Sequence, residues 1–386
     1  VNLPAGVVGS IVAVSDYAST SASNNITITP NGSEKINGVN DDYTISTAGL
    51  AVTLVYADAT RGWKSVTGSD ADATGIVPTY IAATGGNQPT ASGCIVCTNY
   101  KVHKFTGPGT FCVSAGAGPL ALADYLVVAG GGGGGANYGG GGGGGGFRES
   151  PGTASGCYTT SPRGTSPAVA LPISIQGYPI VVGGGGAAGT FPGSPYIGGT
   201  GTDSSFSSIT SAGGGGGSNE GDAGNAGGSG GGGSYGTEAG GAGNTPPAPV
   251  AQGMNGGAGG PGSPNFTSGG GGGATETGVA GAVPGNNASA RGGAGANTSI
   301  SASPVAYSGG AGGGGGDGSG SGGAASPCGT GGAGGAQSPS TAGTAGTTNK
   351  GGGGGGATSF PGAPSGSGGG GGAGGSGVVW IRYKFQ

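Results

Sequence analysis

Tyr125-Leu126-Val127-Val128-Ala129 runs without a break into Gly130-Gly131-Gly132-Gly133-Gly134-Gly135 and then Ala136, and this stretch decides the fold. A buried-type apolar strand leads straight into polyglycine. Glycine loses the most backbone freedom on ordering and has no side chain to bury in return. Such a tract is therefore either unfolded or packed backbone against backbone. The same tract recurs at 139–146, 213–217, 269–273, 312–316 and 351–356, and glycine fills 110 of the 386 positions, almost all after Ala129.

Three simpler readings of the glycine fail. A flexible linker does not carry long discrete runs separated by distinct inserts bearing Tyr, Phe and Pro. Collagen needs glycine strictly at every third residue, and the runs break that period. A phosphate-binding loop needs a Lys-Ser or Lys-Thr opening a helix, and no run provides one. What remains is a bundle of extended polyglycine helices with three residues per turn and ~3.1 Å rise per residue. These helices have no internal hydrogen bonds, so every N–H and C=O must find a neighbouring helix. Consecutive residues point a third of a turn apart. An interior run must then be glycine at every position, whereas a surface run tolerates Ala, Ser or Asn on its outer side.

The expected fold is all-β N-terminal modules followed by a polyglycine II helix bundle, a sandwich clamped by a small β base, with little or no α-helix. Composition divides the chain into residues 1–77, an oligomerising β module; 78–129, a β-hairpin and base segment; 130–377, the glycine-rich region with variable loops; and 378–386, a strand returning to the base. In the first region, period-two strands are expected near 9–14, 26–28, 43–45, 51–56 and 63–66, with a turn at Pro30-Asn31-Gly32. Residues 100–105 and 110–114 flank Gly107-Pro108-Gly109 and read as a hairpin. Three strands, 125–129, 178–182 and 378–383, are expected to form one common base. Between them the chain shuttles out and back, so alternate connections fall at the far tip. The expected tip segments are 136–138, 187–203, 218–226, 244–255, 274–291, 317–328 and 357–367.

Charge and composition narrow the function. Net charge is −4 and 7% of residues are charged, which argues against nucleic acid, because phosphate capture needs a basic stripe. No apolar run approaches the ~20 residues that span a bilayer, so membrane insertion is not expected. The chain begins at Val1 and reads as a processed product or the C-terminal part of a longer one. Of the five cysteines, Cys94 and Cys97 form a CxxC with Cys112 nearby. They read as structural disulfide candidates or buried thiols. A zinc site needs converging ligands and a second CxxC is missing, so no metal or other cofactor is expected. His103, the only histidine, has no oriented nucleophile around it and reads as structural. No catalytic residues are expected, and an enzyme is the least favoured class.

Two resemblances add to this reading. The segment 28–36, with Tyr43-Thr44-Ile45-Ser46, Val52-Thr53-Leu54-Val55 and Gly62-Trp63-Lys64, resembles a β module near the ends of tailed-bacteriophage fibre and tailspike proteins. The resemblance covers about residues 9–67 and implies a homotrimer. The strand-to-glycine passages at Tyr125–Gly131 and Ile180–Gly184, the motif Asp203-Ser204-Ser205-Phe206-Ser207-Ser208-Ile209, and the closing Gly377-Val378-Val379-Trp380-Ile381-Arg382-Tyr383 resemble the glycine-rich domain of phage tail-fibre proteins. They are also similar to the receptor-binding adhesins that cap long tail fibres, over about residues 99–386. In those adhesins polyglycine helices form a sandwich whose variable tip loops bind the host surface. One departure is that they are separate caps, whereas this chain carries its own fibre-like β modules.

The resemblance implies a virion component, extracellular, whose partners are a host cell-surface receptor (polysaccharide or outer-membrane protein) and other tail-fibre proteins. Receptor-binding candidates in the expected tip loops are Tyr138, Phe191, Tyr196, Asn219, Asn255, Arg291 and Phe360. The alternative is a structural extracellular fibril or surface-matrix protein without a specific receptor. Near-identical inserts of equal length would favour that reading, and these inserts differ. An ice-binding face would need a regular Thr or Ala array.

Overall fold

The computed structural model describes residues 1–66, 79–87, 91–156, 158–191, 193–262, 266–281, 290–316, 320–337, 341–358 and 369–386. Among these, the chain is all-β, with one short 3-10 turn at Gly118–Leu120. It forms two compact units, Val1–Tyr80 with Ala115–Ala121, and Ile81–Ser114 with Leu122–Gln386.

The first unit follows its sequence periodicity closely. β1 (Ile11–Ser15), β4 (Ala51–Asp58) and β5 (Gly62–Ser65) form an antiparallel sheet in the order β1-β4-β5, while β2 (Ile26–Ile28) pairs with β3 (Tyr43–Ile45). Val52, Leu54 and Tyr56 of β4 alternate inward and meet Leu3, Ile28, Ile36, Ile45 and Trp63 in one core. The Trp63 indole N–H donates to Glu34 Oε2 at 3.2 Å, which satisfies the polar edge of the buried ring. Asp16 accepts backbone N–H bonds from Gly49 and Ser21, which hold its carboxyl far below the usual range.

The second unit is built on two packed sheets. The strands before the glycine region are β6 (Thr79–Thr84), β7 (Cys94–Val96), β8 (Tyr100–Phe105), β9 (Gly109–Ala117) and β10 (Leu122–Val128). Those within it are β11 (Phe147–Glu149), β12 (Leu171–Pro172), β13 (Gly177–Val181), β14 (Ser204–Phe206), β15 (Ile209–Ser211), β16 (Ala296–Thr298) and β17 (Val305–Tyr307), and β18 (Val378–Lys384) closes the chain. One sheet runs β11-β10-β18-β8-β7, with β12 also on β10; the other runs β15-β14-β13-β9-β6. Phe105, Tyr125, Val127, Ile381 and Tyr383 of the first sheet pack on Phe111, Tyr178, Ile180 and Phe206 of the second. On the opposite face of β10 and β18, Leu126, Val128 and Val378 pack on Phe147, Ile300 and Tyr307. With both faces covered, β10 and β18 carry unbroken apolar stretches, Tyr125–Val128 and Val378–Ile381, and their charged residues Asp124 and Arg382 are buried as well.

Two expectations about this base need correction. Residues 100–105 and 110–114 do not form a hairpin: β8 pairs with β7 and β18, whereas β9 pairs with β13. The Gly107-Pro108-Gly109 turn instead carries the chain from one sheet to the other. The segment 178–182 likewise belongs to the second sheet, so the base is a sandwich rather than a single clamp. His103 is fully buried within it. Its Nδ1 lies 2.7 Å from the Gly85 carbonyl and its Nε2 lies 3.0 Å from the Tyr383 hydroxyl. No disulfide joins Cys94, Cys97 and Cys112 to one another: Cys94 lies on β7 and Cys112 is exposed on β9, in different sheets. Cys97 Sγ accepts from Arg382 Nη2 at 3.7 Å.

The glycine region is an ordered array, and its hydrogen bonds reveal the helix type. The N–H groups of Gly130, Gly133 and Ala136 donate to Thr202, Gly199 and Tyr196 at 3.1, 2.8 and 2.8 Å. Those of Gly131 and Gly134 donate to Gly375 and Gly372, and those of Gly132 and Gly135 to Gly143 and Gly140. Every third residue thus faces the same neighbour, which is the three-residue turn of polyglycine II. The carbonyls of the run accept from Gly214 and Gly217, from Gly186 and Gly189, and from Gly354 and Ala357. Its N–H groups reach three neighbours and its C=O groups three others, so the run sits at the centre of a hexagon. The run 139–146 is surrounded in the same way. A Cβ on any of Gly130–Gly135 would overlap a neighbouring carbonyl, for example that of Gly352 at Gly131 or Gly355 at Gly134. On the outer run 341–347, by contrast, Thr341, Ala342, Thr344, Ala345 and Thr347 are exposed and only Gly343 and Gly346 meet backbone.

Candidate functional site

The direction of each run separates tip from base. The run 129–136 rises from β10, and 139–146 descends antiparallel to it into β11, so 137–138 turns at the tip. The same reasoning places residues 190–191 and 193–197, the turns 219–223 and 234–238, and residues 261–262 and 266 at the tip. Asn137 and Tyr138 make the first turn with two successive left-handed residues, φ 55° and 57°. Asn tolerates that conformation and Tyr adopts it at a cost.

Ring packing holds Tyr138 there. Its ring centroid lies 5.3 Å from Tyr235 and 5.6 Å from Phe266, and those two lie 4.9 Å apart. Each centroid distance falls in the range of favourable aromatic pairs. Glu220 ties the neighbouring turns together: Oε2 accepts from Asn137 Nδ2 at 2.7 Å and Oε1 from the Tyr235 hydroxyl at 2.5 Å. A second pair, Phe191 and Tyr196, has centroids 5.9 Å apart. The Tyr196 carbonyl accepts from Ala136 N at 2.8 Å, so both aromatic groups flank the 136–138 turn. Asn219 is half-buried in the 219–223 turn, and its Oδ1 has no hydrogen-bond partner among the described residues.

Of the candidate residues, the structure brings Tyr138, Phe191, Tyr196 and Asn219 to the tip. Phe360 lies outside the described residues. Asn255 is displaced from the tip: it lies near the base end of the rising run 253–260, and its Oδ1 accepts from Gly243 N at 2.8 Å. Arg291 follows Ala290, whose N–H donates to the carbonyl of Ser268, and Ser268 Oγ in turn donates to the Tyr138 carbonyl at the tip end, but the Arg291 guanidinium reaches away from the tip. The residue lies on a descending run and pairs with Glu276 of the 274–276 base turn, Nη2 to Oε1 at 2.6 Å. The segment 244–252 is likewise a base loop, with Gln252 Oε1 accepting from Ala212 N beside β15.

The misplacement has a physical source. The chain reverses at the base through the bend at 227–229, in the middle of Gly224-Asn225-Ala226-Gly227-Gly228-Ser229-Gly230, with no bulky insert to mark it. Glycine itself makes the bend, so two runs read as one. Tyr235 and Phe266 fall outside the expected tip segments for the same reason, whereas Glu220 falls inside the expected segment 218–226 and has no local pattern that signals its contacts with Asn137 and Tyr235. The Ser234-Tyr235-Gly236-Thr237 insert was the available signal, as an aromatic residue beside turn-forming glycine between two runs.

Residues 105–384 match the family described as Glycine-rich domain. The match covers well over half of the chain, which therefore belongs to that family. Comparison with curated proteins finds no relative.

Proposed function

We propose that this chain is a tail-fibre protein of a tailed bacteriophage, attaching the virion to the host cell surface through the tip turns of the polyglycine array. The carrying observation is the contrast between array and tip. Interior runs are pure glycine in fixed hexagonal register, while the turns they hold differ in sequence and gather Tyr235, Phe266, Phe191 and Tyr196, with Tyr138 buried against Tyr235 and Phe266. A rigid scaffold carrying diverse loops suits recognition. Tyrosine offers large contact area at low entropy cost. The partner is a polysaccharide or outer-membrane protein, and the role is attachment rather than catalysis.

The first unit supports a trimeric, fibre-borne arrangement. β1 is an edge strand, and Val7, Val8 and Ile11 expose 69%, 74% and 67% of their surface beside it. Exposed apolar edges of this kind favour association with further copies.

The test is saturable binding of the purified, labelled chain to a panel of bacterial cells. Phe191→Ala with Tyr196→Ala should weaken binding by about tenfold or more, as expected for aromatic anchors. Arg291→Ala and Asn255→Ala should leave it unchanged. Equal loss from both sets, or no saturable binding to any cell, favours the structural-fibril alternative.

A further inference from the structure

The base carries a cleft that the attachment reading does not use. It has a volume of about 160 Å³ and lies among β11, the 163–171 segment, the β14–β15 turn and the 249–250 loop. Phe147, Val169, Leu171, Ile209 and Val250 give it an apolar wall. Two guanidinium groups, Arg148 and Arg163, also line it.

Each arginine is anchored by one edge. Arg163 Nε donates to the Ala274 carbonyl at 2.8 Å, and Arg148 Nη1 donates to the Thr210 carbonyl at 3.3 Å. Among the described residues neither is in a salt bridge, and no acceptor takes the Nη groups of Arg163. Glu149 also lines the cleft, but its oxygens are engaged elsewhere. Oε2 accepts from Ser161 N at 2.8 Å and Oε1 accepts from the Thr298 hydroxyl. Burial raises the Glu149 carboxyl above the ordinary range, which weakens its claim on either arginine. Burial also lowers the Arg163 guanidinium, the cost of a cation partly withdrawn from water without a counter-charge.

Two cations with free donors beside an apolar wall define a chemistry. We propose that the cleft binds a small monocarboxylate, its carboxylate held by Arg148 and Arg163 and its apolar body against Phe147, Val169 and Val250. Charge-assisted N–H···O bonds from guanidinium to carboxylate supply the orientation. The volume is below the ~300–1,000 Å³ of drug-sized sites, so the ligand is small.

The experiment uses the full chain, with benzoate and its neutral isostere benzamide titrated by calorimetry and by NMR line-broadening of the ligand. Benzoate is expected to bind about tenfold or more tightly than benzamide, because only the carboxylate meets both cations. Arg163→Gln and Arg148→Gln should each remove that preference. Val169→Trp, at a position 66% exposed, fills the mouth while leaving both charges, and should abolish binding of either probe. Equal binding of benzoate and benzamide, benzoate binding that survives Arg163→Gln in a folded protein, or binding unaffected by Val169→Trp would each overturn the proposal. Phe191→Ala with Tyr196→Ala should not change benzoate binding, which separates this site from the tip.

Discussion

Val128 and Val378 are register partners in the antiparallel pair β10 and β18. Val128 is the last strand residue before the glycine region and Val378 the first after it. The array therefore begins and ends on one ladder, and β18 is paired on its other side by β8. Such closure fixes the positions of the first and last runs relative to each other, at a loop-closure cost that rises only slowly with length.

Deleting residues 378–386 should abolish the ordered array, since it removes the central strand of a sheet buried on both faces. Loss of the β signature and of cooperative unfolding in circular dichroism is the expected result. A truncated chain that still melts cooperatively at the same temperature would show that the glycine runs order without their clamp.

Interior glycine should be irreplaceable while outer glycine is not. A methyl at Gly133 would overlap the Ala187 carbonyl, whereas at Gly184 the nearest atom is Thr202 Oγ1 at 3.9 Å. Gly133→Ala should cost at least ~1–3 kcal/mol, the range for overpacking, because backbone rather than a flexible side chain must move. Gly184→Ala should be neutral or slightly stabilising, by restricting the unfolded chain. Denaturant midpoints of the two variants decide the matter, and similar midpoints would count against the packed array.

His103 should make the base acid-sensitive. Burial holds its pKa below the ordinary 6.5, so the folded state keeps the ring neutral. Its stabilising effect is complete above pH 6.5 and is lost as pH falls from 6.5 toward the folded-state value, by at most ~1.4 kcal/mol per pH unit. Glu149, raised by burial, acts in the opposite sense, losing stability as pH rises above the ordinary carboxyl range. His103→Gln should therefore be less stable than the parent at pH 7.5 yet show a flatter or reversed slope down to pH 5.5. An unchanged slope would mean the imidazole titrates normally.

Much of this was legible in the residues. The inward alternation of Val52, Leu54 and Tyr56 and the apolar stretches Tyr125–Val128 and Val378–Ile381 announce strands buried on one face or two. The purity of 130–135 announces an interior helix, because each of its faces meets another backbone. What sequence could not supply was reversal without punctuation. The bend at 227–229 uses the same residue as the runs it joins, so the expected tip segment 244–255, with Asn255, lies toward the base instead. Long-range polar contacts were equally hidden: Glu149 meets Thr298, and Arg163 meets Ala274, across stretches with no local pattern.

The central claim is that main-chain hydrogen bonds between polyglycine helices form the interior. Hydrogen–deuterium exchange resolved to the amides of 130–135 and 139–146 in the intact chain tests it most directly. Protection matching that of the β10 amides, released only by global unfolding, is the predicted result. Exchange at the rate of an unstructured peptide, with β10 still protected, would contradict it.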